Sequence, residues 1–165
     1  MTADADSERR RNETPAERYD RNWIEVLQEL RVLQTGTQIL TGFLLALAFQ
    51  PAFMDLDDGQ RVFYLVLVIL AGVSAVVALA PVALHRILFR EGAKGTIVAY
   101  GHAALLAALV IVSVLLVGVV AFIFDVVVSS ASAYVAAGLF AAFVVVLWLV
   151  VPFALRARRA SRGES

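Results

Sequence analysis

The sequence predicts an all-α fold: an integral membrane four-helix transmembrane bundle. Two observations carry that reading. Hydrophobic residues make up 61% of the chain and charged residues 17%, with a mean hydropathy of +0.81. Soluble domains are roughly half apolar and a quarter charged. Four apolar runs, Val32–Phe49, Val62–Leu84, Ala103–Phe124 and Ala133–Leu155, also contain no Asp, Glu, Lys, Arg or His. Each is close to the length of about 20 residues that a hydrocarbon core demands. With their flanks they place spans at about 32–49, 62–84, 97–124 and 132–155 within a transmembrane domain 32–155.

The elements follow in chain order. Residues 1–13 read as a disordered tail, in which Arg9, Arg10 and Arg11 lie between Glu8 and Glu13 as a solvated segment and not a nucleic-acid patch. Residues 14–31 read as a juxtamembrane or interfacial helix. Thr14-Pro15-Ala16-Glu17 is a capping-box pattern with proline at the first helical position. Asn22-Trp23-Ile24-Glu25 is a second capping candidate, so either one helix runs from Thr14 into the membrane or a short helix breaks near Asn22. Pro51 ends the first span, because the residue before a proline disfavours helix. Asp57 and Asp58 can cap the second span, Gly92 and Gly95 punctuate the following loop, and Ser129, Ser130 and Ser132 introduce the fourth span. Residues 156–165 form a basic tail.

Pro81-Val82-Ala83-Leu84-His85-Arg86 and Pro152-Phe153-Ala154-Leu155-Arg156 are alike, which allows two parallel helical hairpins related by an internal repeat. The competing account is that proline near a helix end followed by positive charge is common at interfaces. The start of the chain lacks the order of a cleavable signal, so the first span reads as an uncleaved signal anchor. Arg9, Arg10, Arg11, Arg18, Arg21 and Arg31 precede the first span, Arg86, Arg90 and Lys94 lie between the second and third, and Arg156, Arg158, Arg159 and Arg162 follow the fourth. Only Arg61 lies on the opposite side, so the excess of basic residues places both termini in the cytoplasm.

Cysteine is absent, which removes disulfides and thiolate chemistry. The chain shows no Ser/His/Asp set on one side of the membrane, no metal-ligand spacing and no phosphate-cradling glycine loop, so neither an enzyme nor a cofactor is expected. Two constellations remain. Gln34, Thr37, Gln38 and Thr41 fall on one face of the first span about 100° wide, with Thr35, Gly42 and Ala46 as an adjacent small-residue face. Lipid tails offer no hydrogen-bond partners, so this stripe is expected to turn inward, as helix-to-helix contact or as a polar path. Small residues four apart, Ala71 with Ala75, Ser74 with Ala78, Ala103 with Ala107, and Ala133 with Ala137 and Ala141, are candidates for close packing. The second constellation is a cytoplasmic-mouth cluster of Glu29, Arg31, His85, Arg86 and His102, joined by Glu25 and Tyr100. Two histidines beside carboxylates and arginines can form a pH-sensitive gate, or they can pair with one another and with anionic headgroups.

The stretch RYDRNWIEVLQELRVLQTGTQILTGFLLALAFQPAF, followed by APVALHRILFREGAK, resembles an uncharacterised actinobacterial family of small four-span membrane proteins. The marks are Arg21-Asn22-Trp23, Glu29-Leu30-Arg31, Gln34-Thr35-Gly36, and His85-Arg86 near Phe89-Arg90. They cover about Tyr19 to Lys94, and the last two spans match in length and apolar character. The resemblance implies a bacterial inner-membrane protein, and it brings a sodium:proton antiporter label that some members carry. The spans lack the titratable group a proton exchanger uses, and amides do not shuttle protons. The expectation is therefore a structural or accessory membrane component, with a small cation or polar-solute transporter as the alternative. Its partners are the lipid bilayer with anionic headgroups and a second copy or another membrane protein. Reporter fusions should place both termini in the cytoplasm, and a reporter active outside at either end contradicts the orientation.

Overall fold

The computed structural model describes residues 14–88 and 94–162, which are 94% helical and contain no strand. The tail 1–13, Phe89, Arg90 and Gly92 of the loop after the second span, and the last three residues lie outside these. Helix α1 is Pro15–Leu47, a 3₁₀ turn occupies Pro51–Asp55, α2 is Asp58–Leu88 and α3 is Lys94–Val127. Helix α4, Ser130–Val145, passes through a π-helical turn at Val146–Val150 into α5, Val151–Arg162. Four helical segments are long and apolar enough to cross a membrane: Glu17–Leu47, Asp58–Ile87, Ile97–Val127 and Ser130–Arg158.

The ends form where the sequence places capping chemistry. At α1 the Thr14 backbone N–H and hydroxyl donate to Glu17 Oε2 at 2.8 and 2.7 Å, and Glu17 N–H donates back to Thr14 Oγ1 at 3.3 Å. Asn22 does not start a new helix, and α1 is continuous across it. Asp57 and Gln60 cap α2 reciprocally, with Gln60 N–H to Asp57 Oδ1 at 2.8 Å and Asp57 N–H to Gln60 Oε1 at 3.2 Å. Ser129 Oγ accepts from Ser132 N–H at 3.3 Å at the start of α4. The two proline motifs behave differently. Pro81 is fully buried within α2, whereas Pro152 is exposed just after the π turn, where Val151 N–H donates to Val146 C=O. Proline supplies no N–H and its ring crowds the carbonyl four residues back, and a wider turn relieves both conflicts.

Contacts divide the chain into two compact units, Met1–Gly42 with Ala71–Val110 and Phe43–Leu70 with Ile111–Ser165. In the first, Val26, Leu30, Ala78 and Leu105 form a buried cluster, with Leu109 packed against it. Helix α2 contributes Ala71, Ser74, Ala78 and Pro81, all buried at alternating three- and four-residue spacing. That is the seam geometry of helices crossing at a shallow angle. The buried alanines of α3 are Ala104 and Ala108, while Ala103 and Ala107 are exposed, so the close-packing pair lies one position beyond the expected one. Helix α3 is apolar on every side, and its composition leaves the rotational phase open.

The second unit buries Leu44, Leu56, Tyr64, Leu67, Leu115, Phe122 and Ala133. Tyr64 OH donates to Leu44 C=O at 2.7 Å, satisfying one of the last four carbonyls of α1, which have no partner inside the helix. Gln60 Nε2 donates to Asp125 Oδ2 at 3.0 Å and ties α2 to α3, while Arg61 donates to Met54 C=O at 2.9 Å and fastens the 3₁₀ turn. Ala133 is the buried alanine of α4, with Ala137 and Ala141 half-buried. A methyl group on Gly118 would lie 2.5 Å from Leu67 Cδ2, and Leu67 is fully buried, whereas one on Gly36 would meet nothing within 4 Å. Gly118→Ala is therefore expected to destabilise the fold by about 1–3 kcal/mol. Gly36→Ala should be neutral or add up to ~1 kcal/mol of helix stability. Thermal unfolding in detergent compares the two, and equal effects would contradict the packing described for Gly118.

Candidate functional site

Within the first unit, the N-terminal half of α1 and the start of α3 enclose an open groove of about 480 Å³. Tyr19, Asn22, Glu25, Val26 and Glu29 line it from α1, at the three- and four-residue spacing that puts them on one helix face. Val98, Ala99 and His102 line it from α3. The approach of the two helices depends on Gly101. A Cβ there would lie 3.0 Å from Trp23 Cζ3 and 3.1 Å from Val26 Cγ1. The next residue, His102, is exposed on the groove wall.

Two carboxylates one turn apart, an imidazole, a phenol and an amide thus share one concave surface. Arg21 approaches Glu25 at 3.9 Å, an exposed pair of the kind that contributes little. The groove can attract a cation or an amine through its two carboxylates. Among the described residues, no group of three or more His, Cys, Asp or Glu is placed to hold a metal ion.

The expected mouth cluster is divided by this geometry. Glu29 and His102 meet on the groove, with Glu25. His85 stacks on Trp23 with ring centroids 5.1 Å apart and planes 12° from parallel, and it does not line the groove. Arg31, Arg86 and Tyr100 are exposed and are also outside the lining. Tyr19 and Asn22 were not expected as part of a site, although their spacing from Glu25 and Glu29 was visible. The stacking partner of His85 was not, because it depends on how α1 and α2 pair.

The Gln/Thr stripe is divided as well. Thr37 is 5% exposed, Gln34 and Thr41 are half-buried, and Gln38 is exposed, so the stripe straddles the edge of the face buried within the chain. The hydroxyls are satisfied within α1: Thr35 donates to Arg31 C=O at 2.9 Å, Thr37 to Leu33 C=O at 2.8 Å and Thr41 to Thr37 C=O at 2.7 Å. Threonine in a helix commonly bonds back to the carbonyl one turn earlier, which removes it from the supply of cross-helix donors. A different buried hydroxyl, Ser74 Oγ, has no hydrogen-bond partner among the described residues.

Gly101→Val should push Trp23 and Val26 away from α3, costing about 1–3 kcal/mol. On a Trp148→Phe background, which leaves Trp23 as the remaining tryptophan, its emission should shift to the red as the ring gains exposure. An unchanged spectrum and melting temperature would contradict the contact at Gly101.

No curated protein and no solved structure significantly matches the chain. The model of a family of unknown function, DUF6328, matches residues 12–152. That range takes in α3 and most of the α4–α5 segment, well beyond the stretch from Tyr19 to Lys94 whose residues carry the resemblance. With so much of its length matched, the chain belongs to the family DUF6328.

Proposed function

We propose that the chain is a non-enzymatic multi-pass protein of the bacterial inner membrane, with both termini cytoplasmic, acting as a structural or accessory component of a membrane assembly. The observation that carries this reading is the polar side chain of Gln38, exposed on a helix of spanning length. Lipid tails cannot satisfy an amide, so such a residue calls for a protein neighbour. The fourth helical segment adds support, because none of its most apolar window is buried and its surface remains free for lipid or protein.

The rival reading is a small transporter for cations or a polar solute, related to the antiporter label. It draws on the groove that groups Glu25, Glu29 and His102, which supplies titratable chemistry at one end of the helices. Against it, the threonine hydroxyls bond within α1 and Gln38 faces outward, which favours contact over conduction.

Two measurements separate the readings. Purification in mild detergent, followed by native electrophoresis, should give the protein in an assembly of fixed stoichiometry. Proteoliposomes holding only this protein, with an imposed pH gradient and Na⁺, K⁺ or Li⁺ outside, should show no cation-dependent collapse of the gradient. Collapse that disappears in the Gln34→Leu/Gln38→Leu double variant would overturn the proposal in favour of transport.

A further inference from the structure

Helix α1 carries two seams on opposite sides. One is the buried set Val26, Leu30, Thr37 and Leu44. The other comprises Ile24, Gln28, Arg31, Thr35, Gln38 and Gly42, all exposed. The intervals along this second set are four, three, four, three and four residues, the heptad alternation that keeps one stripe in register with a neighbouring helix. At 100° per residue the six positions fall within an arc of about 80°, far narrower than the exposed surface of α1. Its chemistry is unlike a lipid-facing surface. It contains amides, a hydroxyl, a guanidinium and a glycine, and a methyl group on Gly42 would meet nothing within 4 Å.

We infer that this outer seam of α1 pairs with the same seam of a second copy, in parallel, as a left-handed helix pair. The inference rests on the interaction-component reading and names the partner of that surface. Gln38 lies seven residues past Arg31, about 10 Å deeper along the axis, where its amide cannot reach headgroups or bulk water. An amide carries both donor and acceptor, so it is complementary to itself. A second copy inserted in the same orientation brings its own Gln38 to the same depth, where the two amides can bond reciprocally. Gly42, one turn deeper, lets the backbones approach most closely, and Thr35 adds a small surface one turn nearer the end. Arg31 lies just before the apolar run, where two guanidiniums can diverge toward lipid phosphates.

The natural chain has no cysteine, so single-cysteine variants report one position each. In native membranes under mild oxidation, Thr35→Cys and Gly42→Cys should form disulfide-linked dimers. Gly36→Cys and Phe43→Cys, also exposed but about a third of a turn away, should not. Association constants measured by energy transfer during dilution into liposomes should fall more than about tenfold in Gly42→Ile. They should fall about threefold for each hydrogen bond lost in Gln38→Leu. Gly36→Ile, equally open in the monomer, serves as the matched control and should leave dimerisation intact.

Equal cross-linking at all four positions, or a maximum at Gly36 or Phe43, would overturn the seam. An unchanged dimer fraction in Gly42→Ile, with helicity preserved, would overturn it too. A stable assembly with a different protein and no seam cross-linking would remove the self-pairing and leave the accessory reading intact. Seam cross-linking together with ion flux by the protein alone would support the pair while removing that reading.

Discussion

The packing of this chain depends on how closely its helix backbones can approach. Alanine, serine and glycine occupy the tight positions: Ala71, Ser74 and Ala78 on α2, Gly101, Ala104 and Ala108 on α3, and Gly118 against Leu67. Most of the larger apolar side chains lie exposed on the outside of the helices.

The helix ends raise a separate problem, because the first N–H and the last C=O groups of a helix have no partner within it. Several ends are handled with local chemistry. Thr14 with Glu17, Asp57 with Gln60, and Ser129 with Ser132 satisfy N-terminal groups, while Tyr64 reaches a carbonyl near the C-terminal end of α1. Asp125 accepts from Gln60, and hydrogen bonds from Ser130 and Gln60 hold its carboxylate in place. The π turn before Pro152 solves the same problem in mid-helix, by widening the turn where an N–H is missing.

The four apolar helices and their caps were legible because length and capping residues are local properties of sequence. Rotational phase was less so. Helix α3 is apolar on every side, which gives Ala103 and Ala104 equal claims to the interior, and only its partners decide between them. On α1 the polar residues were plainly unusual, but Thr37 and Gln38 are neighbours about 100° apart, and the edge of the buried face falls between them. The groove was half visible: Glu25 and Glu29 announced a common face, whereas the contribution of His102 depends on a glycine that lets α3 come close.

The bond from Tyr64 to the Leu44 carbonyl joins residues only 20 positions apart across the turn between α1 and α2. Closing so short a loop costs little chain entropy, and the 3₁₀ turn held by Arg61 shortens the search further. The ring of Tyr64 also meets Phe53 edge-on at 4.9 Å, so the same side chain fastens the turn itself. The hydrogen-bond partners of this latch all lie before residue 65, and the ring of Tyr64 also meets Phe122 of α3 with centroids 6.0 Å apart. During synthesis the hydrogen bonds between the first two helices can therefore form while the rest of the chain is still being made, and α3 then adds Phe122 to the ring of Tyr64 and Asp125 to Gln60.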